Sequence, residues 1–379
     1  MGEDNEIFIQ RGRTTMQRTG SVTRKVCTVT IVLFCAAVLC GGCAKRPVEM
    51  EKPAVEPVPR PSGTEVVVDA RLRASNNDLE GAAAMLEELV GREAHDIEAL
   101  RLLAGIYSTM GKQDASAAVW ERIAMLDPAD ADAAYQVGTT LARAGDWQTL
   151  RSRMLATDAV GAADGRHYLL LGEADKELGY RDEAETYLKR AGELERARYL
   201  LGTLYYEQGK LQQARTAFEN VIARNPGNYS ALLHLGWIYY NGGAFDRALH
   251  HYRSAIKLKP DEPLARLSVA ALHAEMKHPR EAIDQYRTAL SLRGIPRSER
   301  KKAFNSLSRL LVENGILSEA KPVIEEGLAE FPDSGGLYYQ WGEALLKSGN
   351  TGEAREKFKT AAADPLWREI ALRRLHSIK

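Results

Sequence analysis

The sequence predicts an all-α fold: a solenoid of about nine stacked helix pairs closed by one further helix. Three observations predict it. The chain repeats itself at an interval of 34 residues, with "LGTLYYEQGKLQQA" beginning at Leu201 and "LGWIYYNGGAFDRA" at Leu235. Each repeat holds two amphipathic stretches of helical spacing parted by a Gly turn such as "QGK" or "GGA". Proline recurs late in the repeat, at Pro128, Pro226, Pro260 and Pro332.

With position 1 set at Tyr229, repeats start at Gly63, Ile97, Ala131, Gly165, Glu195, Tyr229, Pro263, Lys301 and Gly335. The fourth is four residues short, and the seventh is four long around "RGIPRSER". Position 8 is small in every repeat, for example Ala70, Gly138, Gly172, Gly202, Gly236, Ser308 and Gly342. Position 20 is small in all but one repeat, where Leu150 stands, and includes Ala82, Ala214, Ala248 and Ala354. Position 24 is large, as in Leu86, Trp120, Phe218, Tyr252 and Phe358. Small residues let the paired helices approach, and the large one fills the gap against neighbours. Proline at position 32 stops the second helix because it cannot continue the hydrogen-bond ladder. One such pair cannot bury its apolar face alone, so the pairs must stack.

Two repeats fit poorly. The first has Asp69 and Arg73 where apolar residues belong, and the third has Leu150 and a loose second half, "RSRMLATDAVGAADG". After the ninth repeat, "PLWREIALRRLHSIK" places Trp367, Ile370, Ala371, Leu375 and Ile378 on one stripe. That spacing predicts a capping helix over 367–379, apolar inward and charged outward, as a solenoid end requires.

The pattern resembles the tetratricopeptide repeat. "ALLHLGWIYYNGGAFDRALHHYRSAIKLKP" carries its small-8, Tyr-11, Ala-20, Tyr-24, Ala-27 and Pro-32 signature, and the resemblance runs over residues 63–366. It implies a right-handed superhelix whose first helices line a concave groove at positions 2, 5, 6, 9, 12 and 13. In repeats five and six these positions hold Tyr199, Thr203, Tyr206, Leu233, His234, Trp237, Tyr240 and Asn241. Tyr205 and Tyr239, at position 11, are expected in the packed face, while Tyr206 and Tyr240 point into the groove. Tyr, Trp and His lose little entropy on anchoring a ligand, so an aromatic cluster here suits an extended or helical segment of a protein partner. The alternative is that these rings pack against the neighbouring repeat. The chaperone-tail clamp of the family needs Lys and Asn at fixed groove positions in consecutive repeats. Lys302, Asn305, Arg309 and Gln340 echo it only loosely, so no chaperone tail is expected.

The N-terminus reads as an address. Arg18, Arg24 and Lys25 precede an uncharged apolar run from Val26 to Leu39, followed by "CGGC". This is the layout of a secretory signal peptide, residues 1–42, and its end resembles a bacterial lipobox with Cys43 as the acylated residue. Cys40 stands where that motif has Leu. An uncleaved signal anchor is the alternative, and Met16 would start a more compact signal. Residues 43–62 are proline-rich, which excludes helix and sheet and predicts an extended tether. About 19 residues at about 3.1 Å each span on the order of 60 Å.

Composition closes off several functions. Fifty-one basic residues balance 51 acidic ones, a balance that gives no sign of a nucleic-acid binder, which would need clustered positive charge. All four cysteines, Cys27, Cys35, Cys40 and Cys43, precede the repeats, so the repeats hold no disulfide, thiolate site or cysteine nucleophile. "HAEMKH" spaces its histidines, His273 and His278, by five rather than the zincin four, a rotation of about 140° on a helix. His250 and His251 are adjacent, and their rings diverge. No nucleophile elbow, phosphate loop or dinucleotide fingerprint is present. The expectation is a non-enzymatic scaffold with no metal and no cofactor. It is expected to face the periplasm and to be anchored by lipid, with the outer membrane favoured because Ala44 follows Cys43. Its expected role is to assist assembly or localisation of an envelope complex. Lipoproteins of this repeat family that pilot type IV pilus secretins are similar in layout. A signal-anchored adaptor that regulates an envelope enzyme is the alternative.

Overall fold

The computed structural model describes residues 61–378, so the signal peptide, Cys43 and the tether up to residue 60 lie outside the described residues. The repeats belong to one compact unit, Ser62–Lys379. Among the described residues there are nineteen helices and no strand. They form nine pairs and one closing helix. The first pairs are α1 (Gly63–Ser75) with α2 (Leu79–Arg92), α3 (Ile97–Thr109) with α4 (Gln113–Leu126), and α5 (Ala131–Ala144) with α6 (Trp147–Ala159). Next come α7 (Gly165–Leu178) with α8 (Arg181–Arg190), α9 (Glu195–Glu207) with α10 (Leu211–Arg224), and α11 (Tyr229–Asn241) with α12 (Phe245–Leu258). The last are α13 (Pro263–Glu275) with α14 (Pro279–Ser291), α15 (Arg297–Glu313) with α16 (Leu317–Glu330), and α17 (Gly335–Lys347) with α18 (Thr351–Ala361). The closing helix is α19 (Arg368–Ser377). Each helix packs on the next, and each pair on its neighbours, which is the stacked architecture the period predicts.

Local chemistry places the boundaries. Asp78, Asp96, Asp130, Asp146, Asp164, Asn228 and Asn350 each cap a helix N-terminus, their side chains accepting backbone N–H groups that the helix leaves free. Between the two helices of every pair, position 15 takes positive φ. Glycine fills it in seven repeats, from Gly111 to Gly349, while Asn77 (φ 65°) and Lys277 (φ 60°) fill it in the other two. The four prolines at position 32 lie just beyond the ends of α4, α10, α12 and α16. Pro322 sits inside α16.

Packing follows the register. A Cβ placed on Gly202 would come within 2.7 Å of the Phe218 ring, one on Gly342 within 2.8 Å of Phe358, and one on Gly172 within 2.6 Å of Leu188. Position 8 is therefore small because position 24 of the same repeat occupies its space. Ala214, Ala248, Ala282, Ala320 and Ala354, at position 20, are fully buried.

One expectation, the inward apolar stripe of the closing helix, needs correction, and the irregular repeats take definite forms. The four extra residues of the seventh repeat lengthen α15, which begins at Arg297, ahead of the register start at Lys301, and runs 17 residues. The second half of the third repeat is a regular helix, α6, which buries Leu150, Met154 and Thr157. Asp69 and Arg73 are tolerated because α1 is the first helix of the described stack; they lie 3.6 Å apart as a half-exposed ion pair. In α19 only Ala371 is fully buried, and Ile370 is exposed together with Leu366 and Leu372. The short fourth repeat appears as a ten-residue α8, about a turn less than its counterparts.

Candidate partner-binding groove

Helices α9 and α11 are first helices of adjacent repeats, and they bring the aromatic candidates together. Tyr199 and Tyr206 are two turns apart on α9; His234, Trp237 and Asn241 follow the i, i+3, i+7 spacing of one face on α11. His234 is central. Its ring stacks flat on Phe218 with centroids 4.7 Å apart, and it meets Tyr206 edge-on at 5.3 Å. The Tyr199 hydroxyl lies 3.4 Å from His234 Nε2. Trp237 meets Tyr206 edge-on at 4.6 Å.

The members of this cluster differ in access. Tyr206 is only 7% exposed, so it forms the floor of the groove and does not project into it. Tyr199, His234, Trp237 and Tyr240 are half-buried. Tyr240 stands apart from the others, tilted against Phe245 at 6.0 Å. Asn241 is exposed, and its amide donates to the Trp237 carbonyl at 3.0 Å. Burial pulls the His234 imidazole down to about 4 and pushes the Tyr206 phenol up. At neutral pH the groove centre is therefore aromatic and uncharged.

The doubled tyrosines divide their work. Tyr205 and Tyr239 donate their hydroxyls to Glu185 and Glu219 on the second helix of the preceding repeat, at 3.0 and 2.7 Å. Tyr107 does the same to Glu87 at 2.6 Å. Position 11 is thus a strut between repeats, with desolvation as the main cause of the raised pKa of Tyr107 and Tyr205.

Beyond the aromatics, groove positions of consecutive repeats are cross-linked by charge. Arg71 pairs with Glu98 at 2.7 Å, Arg101 and Arg166 converge on Asp132 at 3.5 and 2.9 Å, and Lys176 reaches Glu207 at 2.9 Å. Arg196 bonds Glu173, and Arg374 reaches Glu343 at 2.7 Å. Position in the repeat places Glu173 and Lys176 in the groove but does not name their partners. The signal that identifies their partners is complementary charge about one period away. In the eighth and ninth repeats, Gln340 is buried, Asn305 is half-buried, and Lys302 and Arg309 are exposed, with Lys302 lying 3.3 Å from Glu299.

The histidine pairs are closer than helical rotation implies. Helix α13 ends at Glu275, so the rotation argument does not reach His278, and the His273 and His278 rings lie 5.9 Å apart. His250 and His251 are 5.3 Å apart, edge to face. Among the described residues no group of three or more His, Cys, Asp or Glu is placed to hold a metal. A cavity of about 510 Å³ opens between α8, α9 and α10, lined by Leu188, Arg198, Leu201, Tyr205, Gln213 and Thr216 among others. It lies beside the shortened helix, and sequence reasoning gave no hint of it. Among the described residues no helix is long and apolar enough to cross a membrane.

Residues 199–263 and 305–366 match the family model described as tetratricopeptide repeat. No curated protein matches the chain. Among solved structures, MamA is 22% identical, with 45% of this chain and 92% of MamA covered and a TM-score of 0.42. YrrB, described as a TPR protein with an unusual peptide-binding site, is 24% identical, covering 50% of this chain and 97% of its own at a TM-score of 0.41. A tetratricopeptide repeat protein from Parabacteroides merdae ATCC 43184 is 19% identical over 65% of this chain and 97% of its own, with a TM-score of 0.45. Two stretches match the family model, and the packing of position 8 against position 24 recurs outside them at Gly172: the chain carries tetratricopeptide repeats over residues 199–263 and 305–366, within a solenoid of the same helix pairs.

Proposed function

We propose that this chain is a non-enzymatic protein-binding scaffold that holds a peptide segment of its partner across the aromatic strip of α9 and α11. The observation that carries the reading is the difference in access within that strip. Tyr206 is a buried floor, while Trp237 against it and Tyr240 a turn further along α11 remain half-exposed, beside an exposed Asn241. Rigid, partly desolvated aromatics of this kind are what binding hot spots are made of. The neutral surface favours a partner segment with apolar or aromatic side chains over a charged tail.

The location belongs to the same proposal. The basic start, apolar run and Gly-Gly-Cys ending of the N-terminus support a lipidated Cys43, and the proline-rich stretch supports a spacer between membrane and repeats. The scaffold then sits on the periplasmic face of the cell envelope, with the outer membrane preferred, and assists assembly or localisation of an envelope complex. A pilotin-like service to a type IV pilus secretin is the most specific form of this reading.

Trp237 and Tyr240 are the residues to replace. The doubly substituted chain, Trp237→Ala with Tyr240→Ala, keeps its melting temperature within a few degrees and captures its cross-linked envelope partner at least about 2 kcal/mol more weakly. A large loss of stability with unchanged affinity per folded molecule assigns the rings to packing and ends the groove reading. Anchoring is tested separately with a fatty-acid analogue, whose label Cys43→Ser should abolish.

A further inference from the structure

The described residues expose nine large apolar side chains, and five of them lie at the two ends of the stack. Val68 and Leu72, each 59% exposed, are one turn apart on the outer face of α1. Leu366, Ile370 and Leu372 stand at the other end, at 86%, 42% and 42%. Ile370 and Leu372 flank Ala371, the residue by which α19 rests on the stack, so each rim of the closing helix carries one exposed apolar side chain. The other four, Met125, Val160, Tyr180 and Leu258, fall one to a repeat in the interior, where neighbours cover the stacking faces.

The two ends also differ in charge. The first pair, residues 63–92, carries six carboxylates against three guanidinium groups, a net of −3. The last helices, residues 351–377, carry four carboxylates against six cations, a net of +2. Opposite net charges on the two end units favour one end meeting the other and disfavour two like ends meeting.

We propose that the ends join between copies, the α1 face of one molecule docking on the α19 end of a second copy of this chain. The contact is heterologous: each molecule offers one head and one tail, so association continues beyond a dimer unless the ring closes. The packing repeats, between molecules, the nearest-neighbour burial that holds each molecule together.

Sedimentation velocity on the full chain tests this, in detergent with micelles in large excess over protein. The mass of the wild-type chain should rise with concentration, and added salt should lower it. Two variants separate the ends: Val68→Asp with Leu72→Asp disables the head, and Ile370→Asp with Leu372→Asp disables the tail. All four side chains are exposed, and circular dichroism checks that both variants melt as the wild type does. Each variant alone should weaken association by at least about tenfold. Mixed in equal amounts they should form a dimer and nothing larger, because one intact head meets one intact tail. A wild-type chain that stays monomeric overturns the proposal, as expected if the chain's own N-terminal segment covers α1. Self-association that survives either pair of substitutions, or variants that stay apart when mixed, also overturns it.

Discussion

Gly236 and Tyr252 occupy a single gap between α11 and α12: a Cβ added to Gly236 would lie 2.4 Å from the Tyr252 ring. Ala for Gly in a helix interior ordinarily stabilises by up to about 1 kcal/mol. Here overpacking, at about 1–3 kcal/mol, outweighs that gain, because the atom met is a buried ring rather than a flexible chain end. Gly236→Ala should therefore lower the denaturation midpoint. Gly105, on α3, has nothing within 4 Å of the same added atom, and Gly105→Ala should raise it. If the two substitutions move stability in the same direction, the register is misassigned.

Lys277 should prefer to be glycine. It holds the left-handed turn conformation that glycine holds in seven other repeats. That conformation costs an L-residue roughly 1–2 kcal/mol, against roughly 0.5–1 kcal/mol for the extra chain entropy that glycine loses on folding. Lys277→Gly should stabilise the protein by about 0.5–1 kcal/mol by urea titration. Asn77→Gly should change little, since Asn tolerates the left-handed region.

Acid should loosen the aromatic strip. The His234 imidazole has its pKa lowered by burial from 6.5 to about 4, so the native protein resists a proton that the unfolded chain accepts. The stability at stake is fully present above pH 6.5 and is lost as pH falls towards 4. By linkage it amounts to at most about 3 kcal/mol. The urea midpoint of the wild-type chain should fall through this window more steeply than that of His234→Phe. Parallel curves would show that the ring takes up its proton without cost.

Asp175 holds position 11 of the fourth repeat, where other repeats place Tyr205 or Tyr239. Its side chain is fully buried, and its partner Arg151 lies beneath the Tyr180 ring. Desolvation raises the carboxyl pKa despite the guanidinium. Arg151→Met leaves that carboxylate unpaired in the core and should cost about 3–5 kcal/mol. Adding Asp175→Leu should recover most of the loss, since a buried pair is often worth no more than apolar residues of similar volume. Thermal melts of the single and double variants decide the point, and no recovery would mean that the pair itself sustains the fold.

Much of this was legible in advance, for a physical reason. Gly236, Phe218 and Ala248 stand out in sequence because packing recurs at each period and leaves the same mark nine times. The short fourth repeat was read from spacing alone and emerged as α8. Single events left no repeated mark. Ile370 looked buried by periodicity, but the last helix has no neighbour to cover its rims. Tyr206 looked groove-facing by position, yet Trp237 and His234, both half-exposed partners from the next repeat, close over it. The ion pairs such as Lys176–Glu207 join residues about a period apart, which a reading repeat by repeat does not connect.

The core is a series of separate apolar clusters, one around Leu86 and Leu103, another around Phe218 and Leu235, another around Phe304 and Ile324. Almost every contact joins residues less than two periods apart in sequence, so little loop entropy must be spent before contacts form, and folding can begin at any repeat and spread in both directions. The same locality sets how the molecule fails under load. A pull on one end meets only the contacts of the outermost pair, so the chain should yield helix pair by helix pair, in extensions of similar length, and each lost pair can re-form on the face still standing. Such a molecule behaves as a ratcheted spring: it lengthens in steps under tension while the repeats farther from the pull keep their fold.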